Sequence, residues 1–458
     1  MSEQLSEPQR PEGDYLRHRG PELPLLLEDG SDPLAQRALR AYLRERECSA
    51  ALVGRKVEIL RHYNVPQMLN AVAICHWSRS GSILLASYLD GHADVIALPN
   101  LIGESIYPFL HDYERLSLWE KLIAYPEYSE SEKGNAGSLF LEDRPGNHAT
   151  SRAHYYAAVR ALFRVYGGRT AAWLGTRQRF FQFLHTAYAV ANAQRPEGTR
   201  PVMVYAQHWF NERLARQFLE DFPCARFIHT VRDPISGLNS WFERHMSWQF
   251  VENPTLTSRY VFPAYDTLAS LLASDSAHRG AEERSWAVRF EDMHLALEAT
   301  MRRVADWLPV AFRPSLLQST LNGNPYVFEG SGGTWNGPNA ANARRRSQNL
   351  HACDRWLVFA LLHPNFKAWN YPSPKIFERR WVRLCAIAFL CCIPTKMELR
   401  NARELLRQQA LPALRAGRIG YALGGPLHLI ARRMRMICLI VLQAIGRETS
   451  KRRPIRML

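Results

Sequence analysis

The chain has 458 residues, 47% hydrophobic and 22% charged, with 58 Lys and Arg against 43 Asp and Glu for a formal net charge of +15. This composition excludes wholesale disorder, a collagen-like repeat and a disulfide-built miniprotein, and it allows two or three domains or one α/β domain with appendages. The excess charge is local, because residues 375–458 hold 18 basic and four acidic residues, a net +14 that leaves the first 374 residues nearly neutral.

Residues 1–31, rich in Pro, Glu and Gly, read as a flexible arm. Asp32 followed by Pro33 is an N-cap and first-turn pair, and 32–68 reads as N-terminal helices running to about Tyr63. The apolar run Leu69 to His76, the polar turn Trp77 to Ser82 and the apolar-periodic stretch Ile83 to Leu89 predict strand, turn and helix. Residues 101–200 carry helical patterns rich in Tyr, Phe, Trp and Arg, broken by a loop at 130–146. Further strands are predicted at Val202 to Ala206, Arg226 to Val231 and Trp286 to Phe290, each followed by a helix. Strands alternating with helices predict a three-layer α/β/α domain with a central parallel sheet, spanning 69–374. Residues 322–349, rich in Gly, Asn and Arg without a hydrophobic period, read as a long loop.

Residues 375–458 read as a basic, partly apolar helical tail with two apolar runs, Leu384 to Ile393 and Met436 to Leu442. Ten residues of helix rise about 15 Å, half of a roughly 30 Å hydrocarbon core, so neither run spans a bilayer. Two readings stand. The tail lies on an anionic membrane surface, or it docks on the body as a helical hairpin with a solvated arginine face. No nucleic-acid module accompanies the arginines, so a nucleic-acid partner is not expected. Eight scattered cysteines show neither metal-ligand spacing nor a CxxC pair, and are expected to be reduced thiols, mostly buried, with no metal. MSEQLSEPQR lacks the basic start and apolar stretch of a secretory signal, so a cytoplasmic location, peripheral to the membrane if the tail binds it, is expected.

Two segments carry chemistry. SRSGSILL, Ser78 to Leu85, lies between a strand and a helix, where backbone N–H groups and the positive end of the helix dipole favour an anion. Arg79 adds a forked cation, Ser80 and Ser82 add hydroxyls, and Gly81 permits close backbone approach. The GxxxxGK[ST] pattern is absent, which disfavours an ordinary ATP or GTP loop. Alone, the segment also reads as a plain turn. In ARFIHTVRDPISGLNSWF, Ala225 to Phe242, an apolar strand ends at Arg232, Asp233 and Pro234 open a helix, and Ser236 and Ser240 fall four residues apart on one helical face. Alone, Arg232 and Asp233 also read as a structural pair at a strand end.

Together, in this order and separation, the two segments resemble the sulfotransferase family that uses 3′-phosphoadenosine 5′-phosphosulfate. LDGHADVIALP after the first helix and WAVRFEDM at 286–293 also look like that family, and the resemblance runs from about residue 69 to 371. It implies a P-loop-like sulfotransferase fold. It further implies that Arg79, Ser80, Gly81 and Ser82 cradle the 5′-phosphosulfate and that Arg232 and Ser240 bind the 3′-phosphate. The sequence departs from the family's late Arg-Lys-Gly triplet ahead of Gly-x-Trp: Phe328, Glu329 and Gly330 precede Gly333, Thr334 and Trp335. Arg344, Arg345 and Arg346 either replace the missing basic pair or form a solvated run.

The resemblance implies transfer of a sulfuryl group to an acceptor hydroxyl, of a carbohydrate, a lipid-linked molecule if the tail faces a membrane, or another small molecule; the leaving phosphate oxygen needs a cation, and Arg79 is the best placed candidate. For the catalytic base, the family's glutamate some twenty residues past the loop is replaced by Pro99 and Asn100, and Glu104 is the first candidate. A capping or surface role is the alternative. His208, in VYAQHWF, stands near the place of a family lysine, and it too has a structural alternative. His76 could touch the donor or simply pack at a strand end. Trp173, Phe180, Phe181, Phe183 and Tyr188 line an acceptor cleft or, at helical spacing, form core. Two rivals remain: a nucleotide-binding or membrane-associated scaffold of the same fold that has lost catalysis, and a nucleotide-dependent kinase, against which the missing P-loop lysine counts.

Overall fold

A computed structural model of the chain describes residues 36, 50–76, 80–99, 102–133, 139–140, 150–167, 176–198, 200–208, 212–240, 281–330, 333–344, 350–394, 399, 402–403, 406–449 and 455–458. The chain divides into two compact units, one formed by residues 1–65, 105–145 and 149–195, the other by 66–104, 146–148 and 196–458. Asp32 and Pro33, the expected start of the N-terminal helices, lie outside the described residues.

The first unit is helical in its described residues, with helices at Ala50–Leu60, Ile106–Asp112, Leu118–Lys133, Arg152–Tyr166 and Arg177–Ala191. The last of these is buried along nearly its whole length, as expected of a central helix that is apolar on most sides. Its first turn is capped by the Thr176 hydroxyl, which accepts from the Arg179 backbone N–H at 3.2 Å. Its other end is held by the buried Lys56, whose Nζ donates to the carbonyls of Val190 and Ala191 at 3.0 and 2.9 Å. The Val190 carbonyl also accepts from the Ala193 backbone N–H at 3.1 Å, and a cation at this end offsets the negative pole of the helix dipole. Phe180, Phe181, Phe183 and Tyr188 are all buried on this helix, so they are core, and Trp173 lies outside the described residues.

The second unit is built on a parallel sheet of β1 (Ala71–His76), β2 (Val95–Ala97), β3 (Val202–His208), β4 (Arg226–Val231) and β5 (Ser285–Arg289). Alternation along these strands divides their side chains between two cores. Val72, Ile74, Val204, Ile228 and Val288 pack with the helices Ser82–Asp90 and Leu297–Trp307, whereas Val231 and Ala287 pack with the helix Ala352–Ala368. The result is a three-layer α/β/α arrangement, in which a parallel sheet is covered on both faces.

The structure adds to the predicted elements in two places. Where a long loop was expected at 322–349, β7 (Asn324–Pro325) pairs with β6 (Thr320–Leu321) just before it, β8 (Val327–Gly330) pairs with β9 (Gly333–Asn336), and Ala340–Arg344 is a short helix. The Phe328 and Trp335 rings stack across the β8–β9 hairpin at 5.9 Å, a cross-strand contact without a local period. The chain end supplies a sixth strand, β10 (Arg456–Met457), parallel to β5, giving the order β10-β5-β4-β1-β3-β2. It is fastened by the Leu458 N–H to the Ala287 carbonyl at 2.9 Å and by Trp369 Nε1 to the Ile455 carbonyl at 3.1 Å.

In the tail, Arg380–Cys392 and the 31-residue Ile419–Thr449 are helices, and Ile387, Ile440 and Ala444 join the core of the Ala352–Ala368 layer. No helix among the described residues is long and apolar enough to cross a membrane. The cysteines correct the expectation of burial. Of the six described, Cys75 is buried while Cys224, Cys353, Cys385, Cys392 and Cys438 are exposed.

Candidate anion site at the carboxyl end of the sheet

From β1 the chain runs to β2 and returns to β3 on one side of β1, then enters β4 on the other. β1 is therefore the strand where the winding changes direction, and such switch points open a crevice at the carboxyl ends of the strands. The register aligns His76, His208 and Thr230 across β1, β3 and β4. The loops that follow β1 and β4, which carry the two sequence motifs, thus leave the sheet side by side.

In the first loop, Trp77, Ser78 and Arg79 lie outside the described residues. Ser80 is buried, with its hydroxyl 2.9 Å from that of Thr230, so it braces this loop to β4. Gly81 is the N-cap of the Ser82–Asp90 helix in the left-handed region, at φ +94°. A Cβ there would stand 2.6 Å from Phe290 Cδ2, so both conformation and space demand glycine. Having no side chain, this N-cap leaves the first-turn amides of the helix to a partner from elsewhere. Ser82 is buried as the first residue of that helix.

In the second loop, Arg232 follows β4 at 6% exposure, with its guanidinium 4.3 Å from the centre of the Phe290 ring. Asp233 caps the helical residues 234–240, its carboxylate accepting from the Ser236 backbone N–H at 2.7 Å. The Asp233 backbone N–H donates to Glu291 at 3.2 Å, and the Tyr371 hydroxyl donates to the other oxygen of Glu291 at 2.6 Å. Burial pushes the Glu291 carboxyl up, against the lowering effect of Tyr371, the Asp233 backbone and Arg232. The buried His294, one turn after Phe290, accepts from the Asn339 backbone N–H at 2.8 Å. Its pKa is held down to about 4, first by burial and then by the Arg232 charge, so it is neutral near pH 7. Ser240 is the last described residue of its helix and is half-buried.

Glu104 lies in the turn Ile102–Ser105, where Gly103 presses against β3: a Cβ on it would come 2.4 Å from the Tyr205 ring. This approach brings the Glu104 carboxylate 3.4 Å from His76 Nε2 at the carboxyl end of β1, with the two side chains only 3% and 6% exposed. The surface alternative for Glu104 is thereby excluded. His208 is the last residue of β3, level with His76 in register. Arg344 is exposed on its short helix, and Arg345 and Arg346 lie outside the described residues. No group of three or more His, Cys, Asp or Glu that could hold a metal occurs among the described residues.

Sequence reasoning missed Thr230, Phe290, Glu291 and Tyr371, which tie the motifs together. Phe290 touches both loops, under Arg232 on one side and against Gly81 on the other. The only signal for it was its place in WAVRFEDM at the end of a predicted strand.

Comparison with known proteins bears on this arrangement. A model of the sulfotransferase family matches residues 72–314. Among solved structures, the chain is similar to the sulfotransferase domain from the curacin biosynthetic pathway, with 19% identity, 55% of this chain and 77% of that one covered, and a TM-score of 0.33. The sulfotransferase domain of the Synechococcus PCC 7002 olefin synthase gives 20% identity, 57% and 82% coverage and a TM-score of 0.31. Sulfotransferase STF9 from Mycobacterium avium gives 18%, 64% and 78%, and 0.30. No curated protein matches the chain. The family pattern covers more than half of the 458 residues and includes both anion motifs, and the chain belongs to the sulfotransferase family.

Proposed function

We propose that this protein transfers a sulfuryl group from 3′-phosphoadenosine 5′-phosphosulfate to the hydroxyl of a carbohydrate, lipid-linked or other small-molecule acceptor. The observation that carries the reading is the placement of Phe290, which holds the buried Arg232 under stacking contact while filling the space beside Gly81. Two anion-holding segments 150 residues apart are thereby joined by one side chain, as a donor with two separate phosphate-bearing ends requires.

In this reading Arg79, Ser80, Gly81 and Ser82 surround the 5′-phosphosulfate, and Arg232 and Ser240 hold the 3′-phosphate. The acceptor oxygen attacks sulfur as the bond from sulfur to the bridging phosphate oxygen breaks, releasing adenosine 3′,5′-bisphosphate. Arg79 offsets the charge that grows on that oxygen. The acceptor proton goes to Glu104, whose carboxylate stands 3.4 Å from His76 Nε2, and His208 on the neighbouring strand is the second candidate for this role. Positioning and fixed donors supply most of the rate in such in-line transfers, which suits a site where Arg232 and Glu104 are already buried in the fold.

The deciding experiment compares calorimetric binding of adenosine 3′,5′-bisphosphate with that of 5′-AMP, in wild type and Arg232→Ala. The bisphosphate is expected to bind at least about tenfold more tightly, and the variant to lose that preference, because a buried guanidinium and a phosphate form a charge-assisted pair. Equal binding of both nucleotides by wild type overturns the donor assignment. Preference for the bisphosphate with no turnover on any acceptor returns the scaffold reading.

A further inference from the structure

We infer that the outer face of the C-terminal helix is an interfacial surface that lies in the plane of an anionic phospholipid bilayer. Among the described residues, fifteen of the twenty exposed large apolar side chains fall between Ile376 and Ile445. They are not scattered. Along Ile419–Thr449, the exposed Ile419, Leu423, Leu427, Ile430 and Met434 recur at steps of four, four, three and four, the spacing of one helical face, and Leu442 and Ile445 extend the same side. From 419 to 445 this stripe is about 39 Å long.

The helix is docked by a different face, on which Ala422, Ile440 and Ala444 are buried. The tail is therefore packed on the body, but its outer side is not the solvated arginine face that a docked hairpin predicts. Leu427 is 63% exposed and Leu442 66%, values that a soluble helix reserves for polar side chains.

Charge identifies the occupant. Residues 405–447 contain seven arginines and no acidic residue, and Arg415, Arg418 and Arg435 are exposed alongside the stripe. A second copy of this face would bring like charge against like, and a nucleic acid would leave the apolar stripe in water. An anionic leaflet satisfies both features, with apolar side chains among the acyl chains and guanidinium groups at the phosphates. Because no described helix can cross the bilayer, the helix lies along it.

Flotation of the full-length protein with vesicles of phosphatidylcholine alone, or of phosphatidylcholine with phosphatidylglycerol, tests this directly. Wild type is expected to float with the anionic vesicles at least about tenfold more than with the neutral ones, and less at high salt. The double substitution Leu427→Asp, Ile430→Asp is expected to bring flotation to background while the thermal transition stays in place, since both side chains already face solvent. The thermal control does not depend on the donor assignment, so failure here and failure of the proposed activity are told apart. Flotation that survives the double substitution, equal flotation with neutral vesicles, or a wild-type dimer that the substitutions dissociate without any vesicle binding would each overturn the inference.

Discussion

The carboxyl end of the sheet and the C-terminal helix depart from the usual partition of side chains in opposite directions. At the sheet, Glu104, Arg232, Glu291 and His294 are charged or ionisable groups taken out of water. On the helix, Leu423, Leu427, Ile430 and Leu442 are apolar groups left in it. Burying an ionisable group costs free energy unless it is paired or stacked, and the sheet region meets this condition with Phe290 beside Arg232 and Tyr371 beside Glu291. The helix stripe has no such internal compensation among the described residues, and the proposed bilayer surface would supply it. One region is preorganised within the fold, and the other is completed only on contact.

If the sheet region is held together from within, its joint should be costly to remove. Phe290→Ala is expected to destabilise the protein by about 4 kcal/mol in denaturant unfolding, the size of a large-to-small change in a packed core, and to weaken bisphosphate binding as well. A loss below about 1 kcal/mol would show that the two loops hold their places without this ring.

A pH titration of stability sharpens the same contrast. His294 has its folded pKa lowered to about 4, against about 6.5 for an unfolded histidine. Between those values the unfolded chain takes up a proton that the folded chain refuses, so stability is full above pH 6.5 and is lost as pH falls toward 4. The loss amounts to up to about 3 kcal/mol and should be absent in His294→Gln. Urea unfolding at pH 7 and pH 4.5 measures it, and an identical pH dependence in both proteins would remove His294 as the cause.

Catalysis tests whether the buried pair is functional or only structural. Glu104→Gln should lower turnover about hundredfold, or about 2.7 kcal/mol in the barrier, while leaving bisphosphate affinity unchanged. Should neither this variant nor His208→Ala reduce the rate by roughly tenfold, the base lies elsewhere.

Much of this architecture is legible in the sequence. β1, β4 and β5 stand out as short apolar runs, and the two turns that follow β1 and β4 carry Arg, Ser and Gly in an order that resembles sulfotransferases. Asp233 was legible as a cap because Asp followed by Pro has a strong local preference, and the structure places its carboxylate on the Ser236 N–H. The hairpin at Val327–Gly330 and Gly333–Asn336 was hidden in a segment without period, since the stacking of Phe328 on Trp335 that accompanies it exists only across strands. β10 could not be seen at all. Two residues inside a basic tail have no pattern, and only the edge of β5 makes them a strand.

By itself the sequence determined the local units and the separation of charge: strand, turn and helix around Gly81, strand and capped helix around Arg232, and a nearly neutral body followed by a cationic tail. These are short-range properties, set by backbone preference, side-chain period and composition. Tertiary structure decided which units meet. The order β4-β1-β3 brings the two loops together, Phe290 joins them, and Gly103 lets Glu104 reach His76. It also decided which side of the last helix is buried through Ile440 and Ala444, and so which side is left exposed. Interstrand hydrogen bonding and close packing act between residues far apart in the chain, and no local window of the sequence contains both partners.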